Sequence, residues 1–135
     1  MKYLLDTNTC IRHINGRSPV ITKRLSAIKE GDIVLCAVVV AELLFGAYGS
    51  QYPEQTVTKQ LRFTALFSSL PFDDVAADHY AQIRTFLKKQ GTPIGANDLL
   101  IAAIARANNL TLVTHNIREF QRVPNLQLED WEQDT

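Results

Sequence analysis

Short apolar blocks alternate along this chain with stripes at helical spacing. Tyr3-Leu4-Leu5, closed by Asp6, reads as a buried strand. Thr7 or Asn8 can cap a short helix to Ile14, stopped by Asn15-Gly16. Ser18-Pro19 opens a second helix with proline at its first position, and Val20, Ile21, Leu25 and Ile28 make its apolar face. After the Gly31-Asp32 turn, Ile33–Cys36 reads as a strand and Ala37–Tyr48 as a helix. Pro53 begins another helix, with Val57, Leu61, Ala65 and Leu66 on one side, and 70–72 reads as a short strand. Asp73 or Asp74 caps a helix carrying Ala77, Ala81, Ile83, Phe86 and Leu87, which ends at Gln90-Gly91. A loop at 92–95 leads to a very apolar, central helix at 96–108. A strand at 110–113, a helical turn at Ile117–Phe120 and a last strand at 126–128 close the pattern.

Strands that alternate with helices and are apolar throughout predict an α/β fold, a short and mostly parallel sheet covered by helices on both faces. Without a linker or repeat, one domain over 1–135 is expected. Sites in such sheets lie beyond the carboxyl ends of the strands, where strand order reverses.

Three acids stand in otherwise apolar settings. Asp6 ends the first strand, where a helix cap is the plain alternative. Glu42 lies in 33–45, thirteen residues in which every other side chain is apolar, and no cation sits near it on the helix. An ionised carboxylate there needs a metal, a distant basic partner or solvent. Asp98 opens an apolar helix whose positions 101, 102 and 105 share its face; a favourable dipole position in the first turn is the alternative. His115-Asn116 follows the 110–113 strand, with Glu119 one turn on. His115 reads as an exposed turn residue, and Asn116 can be a simple turn former. Converging carboxylates make a hard-oxygen site suited to Mg²⁺ or Mn²⁺; zinc would want His or Cys, which are not arranged for it. Such an ion can polarise a phosphate and activate water, so phosphodiester hydrolysis is the natural reaction.

Composition narrows this further. The 135 residues are 46% hydrophobic, with 14 basic and 14 acidic side chains, so a large basic field is excluded. Cys10 and Cys36 form no ligand-like pair and suit reduced thiols. The N-terminus does not read as a secretion signal, and the longest apolar run, 33–41, falls short of the roughly 20 residues a span needs. A soluble, cytoplasmic protein without membrane contact is expected. Charge is uneven, however. Lys2, Arg12, Arg17, Lys23, Arg24 and Lys29 face Asp6 alone in 1–29. Glu119, Glu129, Asp130, Glu132 and Asp134 outnumber Arg118 and Arg122 in 116–135. The basic third could hold backbone phosphates. Leu43, Leu44, Phe45, Tyr48, Tyr52, Leu66 and Phe67 are more apolar surface than a small sheet covers, which hints at a homodimer.

Four segments together resemble the PIN-domain ribonucleases, in particular the VapC-type toxins of bacterial toxin–antitoxin pairs. They are Leu4-Leu5-Asp6-Thr7-Asn8, Ala41-Glu42-Leu43-Leu44-Phe45-Gly46-Ala47, the stretch 91–98 running into Ile101-Ala102-Ala103, and 113–120 with Leu128-Glu129-Asp130-Trp131. The resemblance implies a PIN-like three-layer sandwich of four to five strands. It implies Asp6, Glu42 and Asp98 as Mg²⁺ or Mn²⁺ ligands. The family often has a fourth acid near 116, where this chain has the neutral Asn116; Glu119 could substitute through a water. Thr7, Asn8 and Thr114 look like residues that orient the acids, and Arg12 like one that positions substrate. The resemblance further implies cleavage of structured RNA, with the anticodon stem-loop of initiator tRNA as the closest subgroup's target. It also implies a homodimer and a VapB-type antitoxin whose C-terminal segment fills the cleft. The rival reading is a non-catalytic module that uses Mg²⁺ to order a cleft for RNA or a partner. A phosphatase or receiver-like domain fits less well, because Asp6-Thr7-Asn8 lacks the second acid and no lysine follows a late strand.

Overall fold

The computed structural model describes residues 1–133; Asp134, counted above with the acidic C-terminal stretch, lies outside them. Five strands form one sheet: β1 (Tyr3–Leu5), β2 (Ile33–Cys36), β3 (Ser68–Leu70), β4 (Thr111–Val113) and β5 (Gln127–Glu129). Their order is β3-β2-β1-β4-β5, and every neighbouring pair is parallel. The helices are α1 (Thr7–Ile14), α2 (Pro19–Ala27), α3 (Ala37–Tyr48), α4 (Pro53–Thr64), α5 (Asp74–Gln90), α6 (Ala96–Ala107) and α7 (Ile117–Phe120). Among the described residues no helix is long and apolar enough to cross a membrane.

The chain lays β1, β2 and β3 side by side in one direction, then returns to place β4 on the other flank of β1. Strand order therefore reverses between β1 and β4, and their carboxyl ends border the crevice. The Asp6 amide donates to the Val113 carbonyl at 3.0 Å, which holds these two ends together. The Thr114 amide donates to Glu129 at 2.9 Å and joins β5 to them. Helix α6 is central, as its composition predicts: Ile101, Ala102, Ala103, Ile104 and Ala105 are all buried. Cys10 and Cys36 are free and buried, and burial pushes both thiols up.

Several local expectations shift. The third strand is Ser68–Leu70 rather than 70–72. Its pairing ends at Leu70 opposite Cys36, because Pro71 has no amide hydrogen to extend the ladder. Helix α1 is capped by Asp6, whose carboxylate accepts from the Thr9 amide at 2.8 Å, and not by Thr7 or Asn8. On α4 the buried face carries Gln60 and Phe63, while Leu61 and Leu66 are exposed and Ala65 faces outward with them. Phe63 packs edge-on against Phe67 and beside His13, which turns the predicted stripe away from the core. On α5 the core residues are Ala76, Ile83 and Leu87, with Ala81 and Phe86 outside. There the seven- and four-residue steps set the inner line.

Candidate active site

Each site acid is delivered by a different element. Asp6 follows β1 directly, so the strand end and the α1 cap fix it together. One of its oxygens takes the Thr9 amide, while the buried Thr114 hydroxyl and Thr9 also favour its ionised form. Burial outweighs them, and the Asp6 carboxyl is held above its usual range; Glu42 adds a little in the same sense. Glu42 sits in the middle of α3, half-buried. Thr7 Oγ1 donates to its Oε1 at 2.6 Å and Asn97 Nδ2 to its Oε2 at 3.3 Å. Asp98 lies in the first turn of α6. Glu119, in α7, accepts from the Gly95 amide at 2.7 Å and from Asn116 Nδ2 at 2.6 Å. The Asn116 amide in turn donates to Thr114 Oγ1 at 3.0 Å.

Asp98 shows how these groups feel one another. Its carboxyl is pushed up from 3.8 to about 7, first by burial, then by Glu119, Glu42 and Asp6. Glu119 moves the other way, because the Gly95 amide holds its charged form. The two carboxyls are in hydrogen-bonding contact, with Asp98 the member that keeps the proton. Among the described residues none of Asp6, Glu42, Asp98 and Glu119 makes an ion pair with a basic side chain. They converge from four parts of the chain without a cation of the protein between them.

This donor set fits a hard divalent cation. It is all oxygen, and its charges repel each other in a partly desolvated cleft. The four carboxylates do not close into a tight shell: no three of them bring donor atoms within 4.8 Å of one another, and Glu42 and Asp6 line separate cavities. Among the described residues, the set of three potential ligands with donor atoms all within 4.8 Å is His115, Asp130 and Glu132. The sequence reading had left His115 without acidic partners; they come from beyond β5, fifteen residues and more away.

Other placements differ from expectation. Asn8 is exposed, and no hydrogen bond links it to an acid; it lines the cavities on both sides of Asp6. Arg12 is paired with Glu132. Asn97, Thr9 and Gly95 join the site without having been singled out. A Cβ built on Gly95 would stand 3.4 Å from Asp98 Oδ2 and 3.7 Å from Glu119 Oε1, ordinary contact distances that place the loop beside both acids. Two cavities flank them. One of about 700 Å³ includes Thr7, Ala41, Glu42, Phe45 and Asn97 in its lining. The other, of about 510 Å³, includes Asp6, Arg12, His115, Asn116 and Glu132.

A pH effect follows. Asp98 has a folded-state pKa above its unfolded one, so its contribution to stability is complete below about pH 4 and lost as pH rises through about 7. Chelated protein should therefore melt at falling temperature from pH 5 to pH 8, and Asp98→Asn should flatten the fall. Thermal scans in EDTA check this; identical slopes for both proteins would refute it.

Residues 3–126 match the PIN domain family. The tRNA(fMet)-specific endonuclease VapC of Shigella flexneri is 39% identical over 131 residues, 97% of this chain and 98% of that one. Ribonuclease VapC2 of Rickettsia felis is 41% identical over 133 residues, 98% and 99% of the two chains. Two solved structures superpose closely. VapBC2 of Rickettsia felis bound to a promoter DNA fragment has a TM-score of 0.91 at 40% identity, over 97% of this chain and 99% of that one. DNA-bound VapBC of Salmonella typhimurium has 0.92 at 37%, over 97% and 98%. The chain belongs to the PIN-domain family. Its similarity within that family is to the VapC ribonucleases, along nearly the whole length of each.

Proposed function

We propose that this chain is a metal-dependent endoribonuclease and the toxin of a toxin–antitoxin pair. The observation that carries the reading is that Asp6, Glu42, Asp98 and Glu119 come from four elements to act on one another, none ion-paired among the described residues and only Glu119 eased by the charge of Arg122. Asp6, Glu42 and Asp98 would hold Mg²⁺ or Mn²⁺, with Asn116 at the edge. The ion, when bound, would polarise the scissile phosphate and lower the pKa of a water. The protein's part is positioning. Thr7 and Asn97 orient Glu42, and Thr9 and Thr114 orient Asp6. The Gly95 amide and Asn116 hold Glu119 charged, where it can orient the attacking water. Asn116 thus supports a carboxylate in place of being one, which favours catalysis over the non-catalytic module.

The names of the relatives, ribonuclease and in one case tRNA(fMet)-specific endonuclease, support RNA as the substrate class; we take structured RNA, with the anticodon stem-loop of initiator tRNA as first candidate, from the family resemblance. The VapBC neighbours support a VapB-type antitoxin as partner; that its C-terminal segment fills the cleft, and that the pair acts in the cytoplasm, are part of the proposal. Purified protein incubated with total RNA should cut it with Mg²⁺ or Mn²⁺ and leave it intact with EDTA; sequencing the new 5′ ends would locate the cut. RNA bound but uncut under both conditions would favour the module.

A homodimer is part of the proposal. Phe45 is 84% exposed and Tyr48 67%, with Tyr52, Leu61 and Leu66 also outside. Leu43, expected in the same surface, is buried, and Phe67 packs on Phe63. The apolar face is therefore narrower than the sequence suggested and lies on α3, α4 and the turn between them. Light scattering at micromolar concentration should give twice the monomer mass; Phe45→Glu should give the monomer. A monomer throughout would remove this part.

A further inference from the structure

We infer that Arg12 and His115 form a subsite for an RNA backbone phosphate beside Asp6, and that Glu132 of the same chain occupies it in the free protein. The inference rests on the ribonuclease reading, and goes beyond it by naming where a second phosphate binds and what must leave.

The cavity of about 510 Å³ has Asp6, Arg12, His115, Asn116 and Glu132 in its lining. Glu132 uses both oxygens there. Its Oε1 pairs with Arg12 Nε, and its Oε2 lies 3.2 Å from His115 Nδ1. His115 Nδ1 also meets Asp130 Oδ2 at 2.9 Å. Facing only carboxylate oxygens, this nitrogen carries the hydrogen and gives it to Asp130. Glu132 thus sits on the Arg12 guanidinium and beside the His115 imidazole, where an oxygen of a phosphodiester would be held.

The bridge is delivered by a fixed turn. Trp131 is buried, the Asp130 side chain is 6% exposed, and the Glu132 amide donates to Asp130 Oδ1 at 2.9 Å. The two donors remain reachable: the Arg12 side chain is 45% exposed and that of His115 66%. The contrast between a basic N-terminal third and an acidic C-terminal stretch comes together here. A polyanion approaching Asp6, Glu42, Asp98 and Glu119 meets repulsion. Arg12 opposes it, provided its own acid lets go. The Arg12 end of the pair is open to solvent although the Glu132 side chain is only 14% exposed, so an incoming phosphate can compete for the guanidinium, and a phosphate arriving on RNA brings counterion release as well. In the bland alternative the pair only pins the C-terminal segment, and its loss would lower stability without touching RNA.

Binding of fluorescent tRNA, read by anisotropy in an Asp98→Asn background that leaves the RNA uncut, separates these. Glu132→Gln should tighten binding about three- to fivefold, the range an exposed pair spans. Arg12→Ala should weaken it about tenfold and lower the salt slope by about one, with Arg12→Lys recovering part of the loss. Arg12→Ala combined with Glu132→Gln should bind like Arg12→Ala alone. An unchanged or weaker affinity for Glu132→Gln overturns the inference, as does a gain that persists without Arg12. If the parent protein bound no tRNA or other cellular RNA, the ribonuclease reading would fall first and take this subsite with it. Thermal midpoints recorded alongside show whether any change is one of folding.

Discussion

Asp98→Asn should lower the rate of RNA cleavage by about a hundredfold to a thousandfold or more while leaving the chain folded. Asp98 sits in the first turn of α6 and feels the charges of Glu119, Glu42 and Asp6. An amide of the same shape keeps the packing and removes one negative charge from a set in which no member is ion-paired among the described residues. The cost of that charge is already visible in the carboxyl's rise to about 7. Function and stability should therefore move in opposite directions, a common mark of a site whose charges are arranged for a ligand. At pH 8 without metal, the variant should melt at or above the temperature of the parent. Saturating Mg²⁺ should raise the midpoint of the parent more than that of the variant, because an ion that binds only the folded form stabilises it by mass action. Cleavage within tenfold of the parent would remove Asp98 from the site. A lowered midpoint at pH 8 would mean that its charge is compensated in the fold.

Trp131→Ala should cost about 3–5 kcal/mol of stability, the range for truncating a large buried aromatic. Trp131 is 1% exposed. Its ring meets Tyr3 edge-on, with centroids 5.4 Å apart, and its Nε1 donates to Glu129 at 3.1 Å. It ties the last strand and the turn after it to β1, at the centre of the sheet. A drop of about 10–20 °C in the thermal midpoint is expected for a domain of this length. Trp131→Phe should recover part, since it keeps the edge-on contact and loses the hydrogen bond. Equilibrium urea unfolding measures the loss directly. A value below about 1 kcal/mol would mean that the segment is only laid on the surface.

Much of the architecture was legible because its signals are local. The continuously apolar β1 and β2, the uniformly apolar α6, Pro19 opening α2, and Gly91 closing α5 with φ +69° are each written in a few adjacent residues. Asp6, Glu42 and Asp98 stood out for a related reason, as acids in settings where burial is expensive. The inner face of α4 was not legible. Both of its sides carry apolar residues, and the choice was made by Phe63 meeting Phe67 and His13. The boundary of β3 was missed because the proline that ends the ladder was taken into the strand. At the site, Gly95 and Asn97 lie in the 91–98 segment that carries the resemblance, but nothing local gives them a role, since a loop glycine and an exposed asparagine are ordinary. Their parts, an amide on Glu119 and a side chain on Glu42, need the folded chain. The pairing of Arg12 with Glu132 spans 120 residues, and no spacing rule reaches that far.

The strand order has a bearing on how the protein can be made. β4 lies against β1, although helices α1 to α6 are synthesised between them. Asp6 and Glu42 leave the ribosome well before Asp98 and Glu119, and β5, which closes the edge, follows all four. A nascent polypeptide therefore carries an incomplete set of acids until α7 has been made. The four carboxylates can repel one another, or share a ligand, only after β4 has docked on β1.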